Sequence, residues 1–72
     1  MTGNEFVRLL KRLGRQRRVV VRFDPRPGRG SHGALYYRDR RTTTKDLRKE
    51  ISPGLLRDML AQLGLSRSDL EG

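Results

Sequence analysis

Two prolines and two glycines fall within seven consecutive residues, 24–30, and this cluster divides the chain. Proline has no backbone N–H to donate and glycine weakens an extended strand, so the segment is excluded from the middle of a β-sheet. Regular structure must therefore come from the residues on either side of it. We predict a loop or a wide hairpin connection here, and its arginines make it basic.

A helical pattern precedes this break. Thr2 and Glu5 have the spacing of a capping box, in which each side chain accepts a hydrogen bond from the backbone of the other. Apolar residues then recur on one helical face, which predicts a helix over residues 3–13. Gly14 follows and is predicted to end the helix in a left-handed conformation.

A second helical pattern lies near the other end of the chain. Ser52 is predicted to be its N-cap and Pro53 its first residue, a position that needs no N–H donor. Gly64 followed by Leu65 is typical of a Schellman stop, and residues 66–69 predict one further short turn. The apolar stripe of this helix consists of Leu55, Leu56, Met59, Leu60 and Leu63.

The middle of the chain predicts three strands, over residues 17–23, 32–38 and 41–45, with a tight turn at residues 38–40. In the second strand, the two-residue period favours the side with Leu35 as the core face. The opposite face then carries His32, Ala34 and Tyr36.

These elements predict an α+β fold in which two helices pack on one face of a three-stranded antiparallel sheet and leave the other face open. The order α-β-β-β-α is that of the double-stranded-RNA-binding fold. A chain of 72 residues allows a single domain, residues 1–72, with a small core.

The absence of cysteine excludes disulfides, zinc fingers and thiol catalysis, and is consistent with a reducing cytoplasm. The longest apolar run is four residues, so we expect no membrane segment. One histidine and dispersed carboxylates give no metal-ligand spacing, so neither a metal nor another cofactor is expected.

The net charge of +9 is concentrated in one segment. Residues 15–45 hold ten basic and two acidic residues, a net +8, and fourteen of the seventeen cations in the chain are arginine. Arginine binds phosphate through a planar fork, so a nucleic acid is the natural partner. It is favoured over a membrane surface because no basic amphipathic helix is evident in this segment. The side chains predicted to contact RNA are Arg26, Arg29, Arg38, Arg40 and Arg41.

Residues 28–33, Gly-Arg-Gly-Ser-His-Gly, can combine an anion site with a titratable group. Alternating glycines let backbone N–H groups approach an anion. The pKa of a free histidine, near 6.5, suits proton transfer at neutral pH. Metal-free cleavage of RNA needs such a base together with cations that stabilise the phosphorane. The alternative from spacing alone is that His32 is an ordinary surface histidine.

Three runs of residues carry a resemblance to a known family. They are Gly30-Ser31-His32-Gly33-Ala34-Leu35-Tyr36-Tyr37, Arg40-Arg41-Thr42-Thr43 and Lys49-Glu50-Ile51-Ser52-Pro53-Gly54-Leu55-Leu56. In this order, the runs resemble the HicA family of toxin mRNA interferases. The similarity extends over nearly the whole chain. Where many members carry a bulky residue directly after the histidine, this chain has Gly33.

The resemblance implies a double-stranded-RNA-binding-like fold, mRNA cleavage by the single histidine His32, and neutralisation by a HicB-type antitoxin protein. Gly30 and Ser31 would support His32 and contact RNA. Two other functions are compatible with the residues themselves. One is a non-catalytic RNA-binding domain in which His32 touches only the RNA backbone, and the other is a small ribonucleoprotein subunit.

Overall fold

The computed structural model describes residues 1–25 and 33–71. A helix is followed by three strands and two further helices. The elements are α1 (Gly3–Arg17), β1 (Val21–Asp24), β2 (Gly33–Tyr37), β3 (Arg40–Thr44), α2 (Pro53–Gln62) and α3 (Arg67–Glu71). Most of the predicted basic loop lies outside the described residues.

The three strands form one antiparallel sheet in the order β1-β2-β3, so the predicted meander and the α+β class are confirmed. Leu35 pairs with Phe23 on one side and Thr42 on the other, and these residues share a face. Tyr36 pairs with Arg22 and Arg41, which places those three on the opposite face.

The predicted start of the first strand, at residue 17, is wrong. Arg17 is the last residue of α1, and Arg18 ends the helix in the left-handed region with φ of 56°. β1 begins only at Val21. β2 and β3 also differ slightly from the prediction, because Arg38 has φ of 59° in a short turn and β3 starts at Arg40.

Gly14 does not end α1, which corrects the prediction. The residue is buried inside the helix, where a Cβ would lie 2.5 Å from Cγ2 of Val21 and 2.7 Å from the carbonyl oxygen of Val19. Glycine is therefore required here by the close approach of β1 rather than by a turn. The predicted capping box of Thr2 and Glu5 is confirmed, with N···O distances of 3.2 and 2.9 Å.

The predicted start and end of α2 are confirmed. The Ser52 hydroxyl accepts a hydrogen bond from the backbone N–H of Leu55, and Pro53 is the first helical residue. At the other end, Gly64 has φ of 72° and the N–H of Leu65 donates to the carbonyl of Leu60 at 2.9 Å. This pair of features is the Schellman motif.

The helices cover one face of the sheet, as predicted. The side chains that are fully buried between the two layers are Phe6, Leu10, Leu35 and Leu63. β3 is joined to α2 by a hydrogen bond from the Thr42 hydroxyl to the side-chain oxygen of Gln62. None of the helices within residues 1–25 and 33–71 has the length and apolar character of a membrane-spanning segment.

The predicted turn after Ser66 is the short helix α3, and it is tied to α1 by an ion pair. A carboxylate oxygen of Asp69 accepts from the Ser66 N–H at 2.7 Å, and the other lies 2.6 Å from Nη2 of Arg17. The backbone hydrogen bond from Ser66, the guanidinium of Arg17 and the Ser66 hydroxyl lower the pKa of Asp69 to about 2.

This pKa predicts an acid-sensitive part of the folding stability. Because folding lowers the Asp69 pKa from 3.8, its contribution is full above about pH 4 and is lost as the pH falls towards 2. Asp69→Asn should therefore unfold at a lower temperature than the wild type near neutral pH. The two proteins should converge near pH 2, which thermal unfolding followed by circular dichroism would measure.

Glu71→Gln provides a matched control for this prediction. It removes the same charge from the same short helix, and the Glu71 ion pair with Arg67 is exposed at 3.7 Å. Exposed pairs contribute little to stability, so this variant should unfold almost like the wild type. An equal loss in the two variants would contradict the role given to Asp69.

Candidate nucleic-acid interface

Five of the predicted site residues lie outside the described part of the chain. They are Arg26, Arg29, Gly30, Ser31 and His32. The remaining three predicted RNA contacts, Arg38, Arg40 and Arg41, lie in or beside the hairpin between β2 and β3.

The structure does not bring those three arginines to one surface. Arg38 lies at the turn, whereas Arg40 pairs with Tyr37 on the face that the helices cover. The guanidinium of Arg40 lies across Gly64, where a Cβ would be 3.0 Å from Nε. Arg41 is exposed on the opposite face, which the described helices do not cover and which we call the open face.

Arg22, Tyr36 and Arg41 form a basic and aromatic row across the open face, which we call the sheet row. The three residues are paired across adjacent strands, with Tyr36 in the middle strand. Cζ of the Arg22 guanidinium lies 4.6 Å from the centroid of the Tyr36 ring. Both arginines are exposed and Tyr36 is half-buried. An exposed cation–π contact of this kind contributes only about 0.5–1 kcal/mol, so Arg22 is easily displaced.

Arg22 and Tyr36 were not among the predicted contacts, although the sequence carries the signal for both. Arg22 alternates with Val21 and Phe23, and Tyr36 alternates with Leu35 and Tyr37. The two-residue period therefore places them on the face away from the core. What the sequence does not contain is the register that sets Arg22 and Arg41 on either side of one ring.

Gly33 is the first residue of β2 and directly follows His32 in the sequence. It pairs with Thr44 of β3, and a Cβ at this position would lie 2.8 Å from Cζ of Phe23 and 2.9 Å from the Asp24 carbonyl oxygen. A larger residue would push β1 and β2 apart. The close contact with Phe23 therefore favours glycine at this position.

A second basic surface lies on the other layer of the molecule. We call it the α1 stripe, and it consists of the exposed residues Arg8, Lys11, Arg12 and Arg15. The N-terminus of α1 is not an anion site, because the N–H groups of Gly3 and Asn4 donate to the carbonyls of Lys49 and Leu47 at 3.2 and 2.9 Å. Any anion bound by α1 must therefore contact the stripe through side chains.

Carboxylates on the helix side are engaged in local contacts. Hydrogen bonds from the backbone and side chain of Thr2 lower the pKa of Glu5. The Arg48 side chain, and then its backbone N–H at 3.0 Å, lower the pKa of Asp46. In the described ranges, no three histidine or carboxylate side chains lie together in a way that would hold a metal ion.

No family model matches the chain, and neither the curated proteins nor the solved structures include a significant match.

Proposed function

We propose that this protein is a metal-independent endoribonuclease that acts as the toxin of a type II toxin–antitoxin pair of the HicA kind. The observation that carries the choice of RNA as the ligand is the sheet row. An aromatic ring between two exposed arginines is the combination that binds bases and phosphates of nucleic acid. The Gly-Ser-His motif and the element order of a double-stranded-RNA-binding-like fold support the same function.

In the proposed reaction, His32 acts as the general base. Its imidazole takes the proton of a ribose 2′-OH, and the 2′ oxygen attacks the adjacent phosphorus. The bond from phosphorus to the 5′ oxygen breaks, and a water molecule donates a proton to this oxygen as it leaves. Arginine side chains stabilise the negative charge that develops on the phosphorane oxygens. The products are a 2′,3′-cyclic phosphate and a 5′-hydroxyl end.

The test of this function is a cleavage assay with chemically defined substrates. The protein should cut a single-stranded RNA in the presence of EDTA and leave a 2′,3′-cyclic phosphate. The same sequence with deoxyribose at every position should remain intact, because it has no 2′-OH to act as the nucleophile. An RNA that stays whole under all buffer conditions would refute the endonuclease.

The proposed partner is a HicB-type antitoxin with an acidic surface. A protein with a net charge of +9 is captured fastest and most tightly by a surface of complementary charge. The sheet row is the surface that such a partner would need to cover in order to exclude RNA. Co-purification from the native operon would identify the partner, and recovery of free protein alone would count against it.

A non-catalytic RNA-binding role is the second candidate function. The sheet row favours it directly, since stacking and phosphate contacts need no histidine. The two functions differ in the cleavage assay, where a binding domain or ribonucleoprotein subunit retains RNA without cutting it.

A further inference from the structure

We infer that the sheet row selects an unpaired nucleotide, with Tyr36 as the platform on which its base stacks. The inference rests on the proposed function, in that RNA is the ligand. It assigns the recognition of single strands to a face of the sheet. Proteins of the same element order that bind duplex RNA recognise it instead by its shape and by contacts to sugar and phosphate.

The exposure of the ring supports this role. Tyr36 is half-buried, and Arg22, which covers the ring, is itself exposed. Solvent reaches Arg22, and its guanidinium lies over one face of the ring. A base can replace the guanidinium there, because base stacking on an aromatic ring strengthens binding by roughly 5- to 150-fold. The exposed cation–π contact with Arg22 is lost in the exchange, and its loss weakens binding by only about 2- to 5-fold.

The flanking arginines supply the phosphate contacts. Adjacent strands lie about 4.8 Å apart, so Arg22 and Arg41 are within reach of the phosphates on either side of a base stacked at Tyr36. A base that is paired inside a duplex cannot present its flat face to this ring. The row therefore discriminates against double strands, while the α1 stripe, which has no aromatic residue, does not.

Binding measurements on a non-cleavable ligand test the inference. The probe is a 2′-O-methyl RNA ten-mer, used as a single strand and as a duplex with its complement. Tyr36→Leu should weaken single-strand binding by roughly 5- to 150-fold. It should leave duplex binding, and the slope of log affinity against log salt, unchanged. Tyr36→Phe should bind like the wild type, since it keeps the ring.

Charge variants separate the arginines of the row from those of the α1 stripe. Arg41→Gln should reduce the salt slope for the single strand by about 0.7, the value for one lost phosphate contact. Arg12→Gln removes the same charge from the α1 stripe and should leave that slope unchanged. Equal effects of the two substitutions would overturn the assignment of the phosphate contacts to the row.

Fluorescence gives an independent readout that does not depend on the leucine variant folding. The chain has no tryptophan, so Tyr36→Trp introduces a single reporter at the platform. The single-stranded probe should quench its fluorescence and the duplex should not. Absence of quenching, or a Tyr36→Leu variant with wild-type affinity, would overturn the inference even if the protein cuts RNA. Quenching without any cleavage would support the inference and refute the nuclease.

Discussion

His32→Ala should lower the rate of RNA cleavage by about 10²–10⁴-fold, the usual contribution of a positioned general base. No other histidine and no cysteine is present in the sequence to take over the proton transfer. The loss should be measured as single-turnover cleavage of a defined RNA in EDTA. In cells, the same substitution should abolish growth inhibition.

Two controls make the His32 result interpretable. The variant should retain the wild-type thermal unfolding transition, and its affinity for the non-cleavable RNA should fall only slightly because the arginines supply most of the binding. Arg12→Gln, on the α1 stripe, should cut RNA nearly as fast as the wild type. A His32→Ala protein that cuts at the wild-type rate would exclude the proposed mechanism, and one that fails to fold would assign His32 a structural role.

Leu35→Ala should remove a large part of the folding stability of the protein. Leu35 is fully buried in the central strand, between the sheet and the helices. Replacing a buried leucine by alanine costs about 2–5 kcal/mol. A domain of 72 residues is expected to have only about 4–11 kcal/mol of total stability. The variant should therefore unfold at a much lower urea concentration.

The neighbouring residue provides the control for Leu35. Tyr36→Leu changes a side chain on the opposite face of the same strand and should cost well under half as much as Leu35→Ala. A shift of one residue in the strand register would exchange the two faces and reverse this order. Urea denaturation of both variants therefore tests the register on which the sheet row depends. Equal losses of folding stability in the two variants would contradict this register.

The elements with strong local signals were predictable from the sequence. Ser52 and Pro53 start α2, and Gly64 ends it, because caps and stops depend on the conformations of a few adjacent residues. The core face of β2 followed from alternation around Leu35. These features need no knowledge of what the element packs against.

Features set by tertiary contact were predicted less well. Gly14 has the local signature of a helix end, yet its role is to admit Val21 at close range, and α1 continues to Arg17. The predicted turn includes Arg40, but this residue pairs with Tyr37 and starts β3, so the pleat places it on the face opposite to Arg41. Which arginines share a surface depends on register, and register is a property of the assembled sheet.

Amide NMR with the non-cleavable single-stranded RNA is the most direct test of the central claim that the open sheet face is the nucleic-acid interface. Titration into isotope-labelled protein should shift the resonances of the sheet row, with the largest change at Tyr36. The α1 stripe should change little, although Lys11, Arg12 and Arg15 are also basic and exposed. Shifts concentrated on the α1 stripe, with the sheet row unaffected, would contradict the account.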